Sequence, residues 1–231
     1  MNMDFKKFFA ISPEEFSENC IICQSSDLSL FADNARNGLF VKTAKIKNAT
    51  IIGLRNNFAA GDSVLFLENT PCRNIILFGS CGVCGDIDLG SPIAVEKSYN
   101  LESFSKMALC KSERSFEYSN ASKEFNENFF AKNPNLNFIK TNSACVNSFI
   151  LQPQYLDFFK EKNIGAVDME SSIVFCAAKI AKINAACFMY ASDHIEKYPL
   201  GKNLAEPSKK RIGNTRKKLA KAIAEFFFDK N

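Results

Sequence analysis

Three short stretches of this chain are apolar at every position: Cys20-Ile-Ile-Cys23, Ile75-Ile-Leu-Phe78 and Ala185-Ala-Cys-Phe-Met-Tyr190. A strand with one wet face alternates polar and apolar residues. A strand with no polar position is covered on both faces, as in a sheet held between layers of helices. The stretches between them carry helical spacing. Residues 59–67 fit a helix, 153–162 a helix with proline in its first turn, and 170–182 a helix apolar on most of its circumference. Residues 207–230 place Ile212, Leu219, Ile223 and Phe226 on one face and a heavily basic surface opposite. Residues 93–99 and 138–146 predict further strands, and 39–46 with 49–54 predict a hairpin turning at Lys47-Asn48. Residues 5–18 predict a short amphipathic helix or turn with Ser12-Pro13-Glu14-Glu15 as its start signal. Residues 100–136 predict a loop and one helix. Alternating strand and helix indicate one α/β domain over 1–231 with a largely parallel central sheet, and 231 residues suffice for one large core.

Several partner classes lose their footing on the same residues. No apolar run approaches the roughly 20 residues that span a bilayer, and the first ten residues lack the apolar core of a signal peptide. A net charge of +4 gives no reason to expect nucleic acid. The basic runs Lys209-Lys-Arg211 and Arg216-Lys-Lys218 read as a solvated helix face. Nine cysteines, odd in number and several in apolar runs, read as small buried hydrophobes in a reducing cytoplasm. A small molecule remains as the expected partner.

In open α/β sheets, ligands bind beyond the carboxyl ends of the strands. Three candidate sites fall there. Gly79-Ser80-Cys81-Gly82 follows an apolar strand; it is either a tight turn or an anion nest of exposed amides with the Ser80 hydroxyl. Cys81 and Cys84 form a Cys-x-x-Cys pair, but no second pair stands at zinc spacing, so no metal is assigned. Val167-Asp-Met-Glu170 stands at a helix start, where acidic residues complement the dipole. Alternatively, the two oxygens of Glu170 match the vicinal hydroxyls of a ribose. Ser192-Asp193-His194 follows the last strand, either as a helix cap or with Asp193 as a general acid. His194, the only histidine, reads equally as a packed or solvated side chain.

Gly-Ser-Cys-Gly, Val-Asp-Met-Glu and Ser-Asp-His-Ile occur in this order, followed by a long C-terminal helix. Together they resemble the nucleoside phosphorylase superfamily of bacterial purine nucleoside phosphorylases, uridine phosphorylases and methylthioadenosine nucleosidases. The likeness runs from about Arg36 to the C-terminus. It implies a three-layer phosphorylase/hydrolase-like fold with a mixed central sheet flanked by helices. It implies cleavage of the N-glycosidic bond of a purine nucleoside, with phosphorolysis to base and ribose 1-phosphate as the leading expectation. The family resemblance gives Glu170 the ribose hydroxyls, Met169 the underside of the sugar, Phe149 the stacked base and Asp193 the purine N7. Ser80 and Gly79 fall on the phosphate or water side, with Arg36 matching an arginine the family passes across a dimer interface and Arg55 as a further cation. No cofactor is implied beyond phosphate as co-substrate, and the family works in the cytoplasm as homodimers or hexamers.

The chain departs from the pattern on the nucleophile side. Leu77 stands where purine phosphorylases carry an arginine. The turn Gln24-Ser-Ser-Asp27-Leu-Ser29 replaces an arginine-bearing phosphate loop. Nucleosidases need an N-terminal glutamate to activate water, and Asp27 is the nearest acidic residue. Hydrolysis, or nucleoside binding without turnover, therefore stand as alternatives.

Overall fold

A computed structural model describes residues 4–103, 107 and 116–228. Its ten strands are β1 (Asn19–Gln24), β2 (Arg36–Asn37), β3 (Val41–Ile46), β4 (Ala49–Leu54), β5 (Asn74–Val83), β6 (Pro92–Leu101), β7 (Tyr118–Asn120), β8 (Ile139–Val146), β9 (Ile164–Asp168) and β10 (Asn184–His194). Its helices are α1 (Phe5–Phe9), α2 (Ala59–Phe66), α3 (Lys123–Lys132), α4 (Leu156–Glu161), α5 (Ser171–Ala181) and α6 (Glu206–Phe228).

The expected strands at 20–23, 75–78 and 185–190 lie within β1, β5 and β10, which neighbour one another in parallel, and the hairpin forms as β3 and β4 around Lys47 at φ 34°. The sheet is mixed. Parallel contacts join β4 to β1, β1 to β5, β5 to β10, β6 to β8 and β8 to β9. Antiparallel contacts join β10 to β6 and β9 to β5. Five strands therefore close a ring, β5–β10–β6–β8–β9 and back to β5, and β1, β4, β3 and β2 extend from it as an open wing.

Three local expectations differ from the structure. The Gly79–Gly82 segment is not a loop: β5 continues to Val83, because β10 pairs with it beyond Ser80 and β9 pairs with Gly82 and Val83. Ile164–Asp168, expected only as the approach to a helix, is a strand of the ring. Helix α1 stops at Ala10, which adopts a left-handed conformation, and Ser12 starts a separate 3-10 turn over Pro13–Glu15 instead.

Both sheet faces are dry. On one, α2 and α5 pack with Phe8, Phe9 and Phe16 over Leu77, Cys187 and Met189. On the other, α6 lays Leu219, Ile223 and Phe227 over Ile76, Phe78 and Phe188, and Phe129 of α3 stacks on Phe188 at 4.1 Å between ring centroids. Burying such side chains stabilises by about 1.5–3 kcal/mol each. Of the eight cysteines described, all but Cys176 are buried and all are free thiols. No helix is long and apolar enough to cross a membrane among the described residues.

Candidate active site

Where the carboxyl ends of β1, β5, β9 and β10 converge there is a cavity of about 220 Å³. Gly79, Ser80, Phe149, Met169, Glu170 and Asp193 all line it, so the structure gathers six of the eight expected residues, from segments more than a hundred positions apart. The other two are elsewhere. Arg36 lies on β2 and pairs with Glu15 at 3.0 Å, and Arg55, beyond β4, donates to Asn37 Oδ1 at 2.8 Å. Leu77 is in the cavity wall.

A bulge places Asp193. The β5–β10 register shifts between Ala191 and Asp193, making Ser192 the extra residue. A bulge re-aims the side chain that follows it. Here the Asp193 carboxylate lies over Gly82, where an added Cβ would stand 2.9 Å from Oδ2. Ser192 Oγ donates to Asp193 Oδ1 at 2.7 Å and contacts the Cys81 carbonyl. Burial raises the Asp193 pKa above the usual carboxylate range, opposed by the Ser192 hydroxyl and by His194. His194 is packed. Its Nε2 meets the Gly85 carbonyl at 3.0 Å, and its Nδ1 accepts from the amides of Glu196 and Lys197. These bonds specify the tautomer protonated at Nε2.

Asp168 places Glu170. The buried Asp168 carboxylate accepts from the amides of Glu170 (2.8 Å) and Ser171 (2.7 Å) and from the Ser171 hydroxyl. The Ser171 hydroxyl also meets those of Ser98 (2.6 Å) and Ser143 (2.9 Å). No acidic residue falls in the first turn of α5: Asp168, at the end of β9, serves the backbone ahead of the helix, and Glu170 lines the cavity. Burial, then the neighbouring Asp168, push Glu170 up to about 8.

Three lining residues carried no motif. Gln24 Nε2 donates to Glu170 Oε1 at 2.7 Å, and Asn57 Nδ2 reaches the Met169 thioether at 3.1 Å. Gln152, a buried residue, lines the same cavity with Phe149. Gln24 was findable as the last residue of an apolar strand; Asn57 and Gln152 sit in connecting turns without a local signature. Asp27 does not line the cavity. It is buried and accepts from Arg216 Nε of α6 at 2.7 Å. Every charged residue of the wall, Asp168, Glu170 and Asp193, is a carboxylate.

A mixed sheet with a small cavity at its strand ends, walled by carboxylates of raised pKa, defines an α/β protein built for small-molecule chemistry. Its family is shown by sequence. The model of the phosphorylase superfamily matches residues 59–227, well over half of the chain, and the chain belongs to that superfamily. Members are phosphorylases that transfer a glycosyl group or hydrolases of N-glycosidic bonds. No curated protein sequence matches significantly. Solved structures share the fold. A uridine phosphorylase from Vibrio fischeri superposes at TM-score 0.72, with 19% identity over 92% of this chain and 91% of that one. The Campylobacter jejuni 5'-methylthioadenosine/S-adenosyl homocysteine nucleosidase superposes at 0.71, with 13% identity over 92% and 99%. An AMP nucleosidase from Bacteroides thetaiotaomicron superposes at 0.68, with 15% identity over 94% of each chain.

Proposed function

We propose that this protein cleaves the N-glycosidic bond of a purine nucleoside. The observation that carries the reading is the placement of Asp193 and Glu170 on one small cavity, with the Asp193 pKa raised by burial. Bond breaking builds positive charge on the ribose ring and negative charge on the departing base. Asp193, held over Gly82 by the bulge, protonates or hydrogen-bonds the base nitrogen, and burial, by raising its pKa, favours the protonated form. Glu170 holds the ribose hydroxyls and Met169 lies under the sugar. Phe149, half exposed at the rim, stacks on the base, and the Gln152 amide reads its edge. Gly79 and Ser80 line the side from which the nucleophile approaches.

For that nucleophile, the lining favours water over phosphate. Among the described residues the cavity wall offers a phosphate dianion no cationic side chain, and Leu77 is part of that wall. Phosphorolysis is the second reading. It is favoured by the exposure of Arg36 on the two-residue strand β2, where a second copy of the chain can receive it.

The test is base release from inosine, adenosine and methylthioadenosine, with and without phosphate. Equal release without phosphate supports hydrolysis. Release only with phosphate moves the assignment to phosphorolysis. Absence of release from all three sinks the cleavage reading.

A further inference from the structure

Glu170 is already partnered before any sugar arrives. Gln24 ends β1 and Asn57 follows β4, so both come from carboxyl ends of neighbouring strands in the wing. The amide nitrogen of Gln24 serves two acceptors, Glu170 Oε1 at 2.7 Å and Asn57 Oδ1 at 3.4 Å. Asn57 in turn donates its own Nδ2 to Met169 Sδ. The bonds run in one consistent direction: Gln24 gives to Glu170 and to Asn57, and Asn57 gives to Met169. Asn57 is thereby oriented at both ends of its amide.

We infer that Gln24 sets how strictly the pocket demands both ribose hydroxyls, by keeping one oxygen of Glu170 partnered whether or not the sugar fills it. The inference rests on the proposed assignment of Glu170 to the sugar. A site whose buried polar groups depend on a substrate hydroxyl rejects an analogue lacking it by as much as about 10⁴-fold, because those groups are then stranded. In this protein, loss of one sugar hydroxyl leaves Glu170 bonded to Gln24. The loss is then that of one net hydrogen bond, about tenfold or less. The pocket accordingly takes 2′-deoxynucleosides alongside ribonucleosides, and Gln24 is the specificity-determining residue.

Calorimetric dissociation constants for inosine, 2′-deoxyinosine and 3′-deoxyinosine test this on the whole chain, measured throughout in an Asp193→Asn background so that the ligands are not consumed. With Gln24 in place, the ratio of deoxy to ribo constants is expected to stay within about tenfold. Gln24→Met, similar in length and without a donor, is expected to widen that ratio at least tenfold, and Gln24→Ala to widen it likewise should methionine pack poorly. A general loss of fit would weaken all three ligands together and leave the ratio where it was. A ratio above a hundredfold with Gln24 in place, or a ratio unmoved in both variants, overturns the inference. Failure of every nucleoside to bind with Gln24 in place overturns the sugar-site reading beneath it, which is a separate outcome.

Discussion

At the scale of single residues, the proposed site depends on two carboxylates whose pKa burial raises, Glu170 to about 8. Asp193→Asn keeps the shape of the acid and removes its ionisation; base release should fall by about 10²–10⁴-fold while inosine binding is retained. Comparable turnover in that variant would remove Asp193 from the chemistry. Gly82→Ala places a methyl group within 2.9 Å of the Asp193 carboxylate and should lower kcat without altering the acid itself. Glu170 leaves a stability signature. Its folded pKa of about 8 lies above its unfolded value, so the folded state holds the proton more tightly, and stability falls as pH rises from the unfolded pKa toward 8. Glu170→Gln should abolish this decline, on the order of a few kcal/mol, in urea melts at pH 5 and pH 9. A parallel pH dependence in the two proteins would argue against the shift. Much of this was legible in the sequence, because Asp193, Met169 and Glu170 stand in short motifs beside strong apolar elements. Gln24, Asn57 and Gln152 were not, because a lone amide becomes a site residue only through what lies across from it. Arg36 and Arg55 carried the right charge but fell on the wing, outside the cavity.

At the scale of elements, helix α6 does more than cover a sheet face. Arg216 reaches the loop after β1 and pairs with the buried Asp27. Truncating Arg216 leaves that carboxylate without its cation. Because the guanidinium is about one-third exposed, with 32% of its side chain accessible, water replaces part of the loss. Arg216→Ala should cost about 2 kcal/mol, and Asp27→Asn in the same chain should restore part of it. Additive effects in that double-mutant cycle would show that the pair is not coupled. The buried strands were legible because residues with no polar position have nowhere else to go. Strand β9 was not: five residues containing Gly165 and ending in Asp168 carry too little β-branched surface to outweigh the helix signal that follows. Gly79 and Gly82 drew a loop assignment for a related reason. Glycine is usually a break in a strand pattern, yet here both lie in β5 with partners beside them.

At the scale of the whole molecule, the closed ring was invisible to sequence patterning, since β5 and β10 are joined across about a hundred residues and no local period records the pairing. Closure leaves β5 and β10 hydrogen-bonded on both sides, whereas β2 has a partner only on one. Amide hydrogens of residues 75–78 and 186–190 should therefore exchange only on global unfolding, and those of the wing's outer strands sooner. Equal protection across the sheet would contradict this ranking. The ring also orders events during synthesis. Its first strand is made at Asn74 and its last at Asn184, so a nascent chain carries Gly79, Phe149 and Glu170 long before anything can close over them. The strand that seals the ring is also the one that bears Asp193. Fragments ending before residue 184 therefore lack both the closure and Asp193, and on the proposed reading a partly made chain releases no base until the ring is shut.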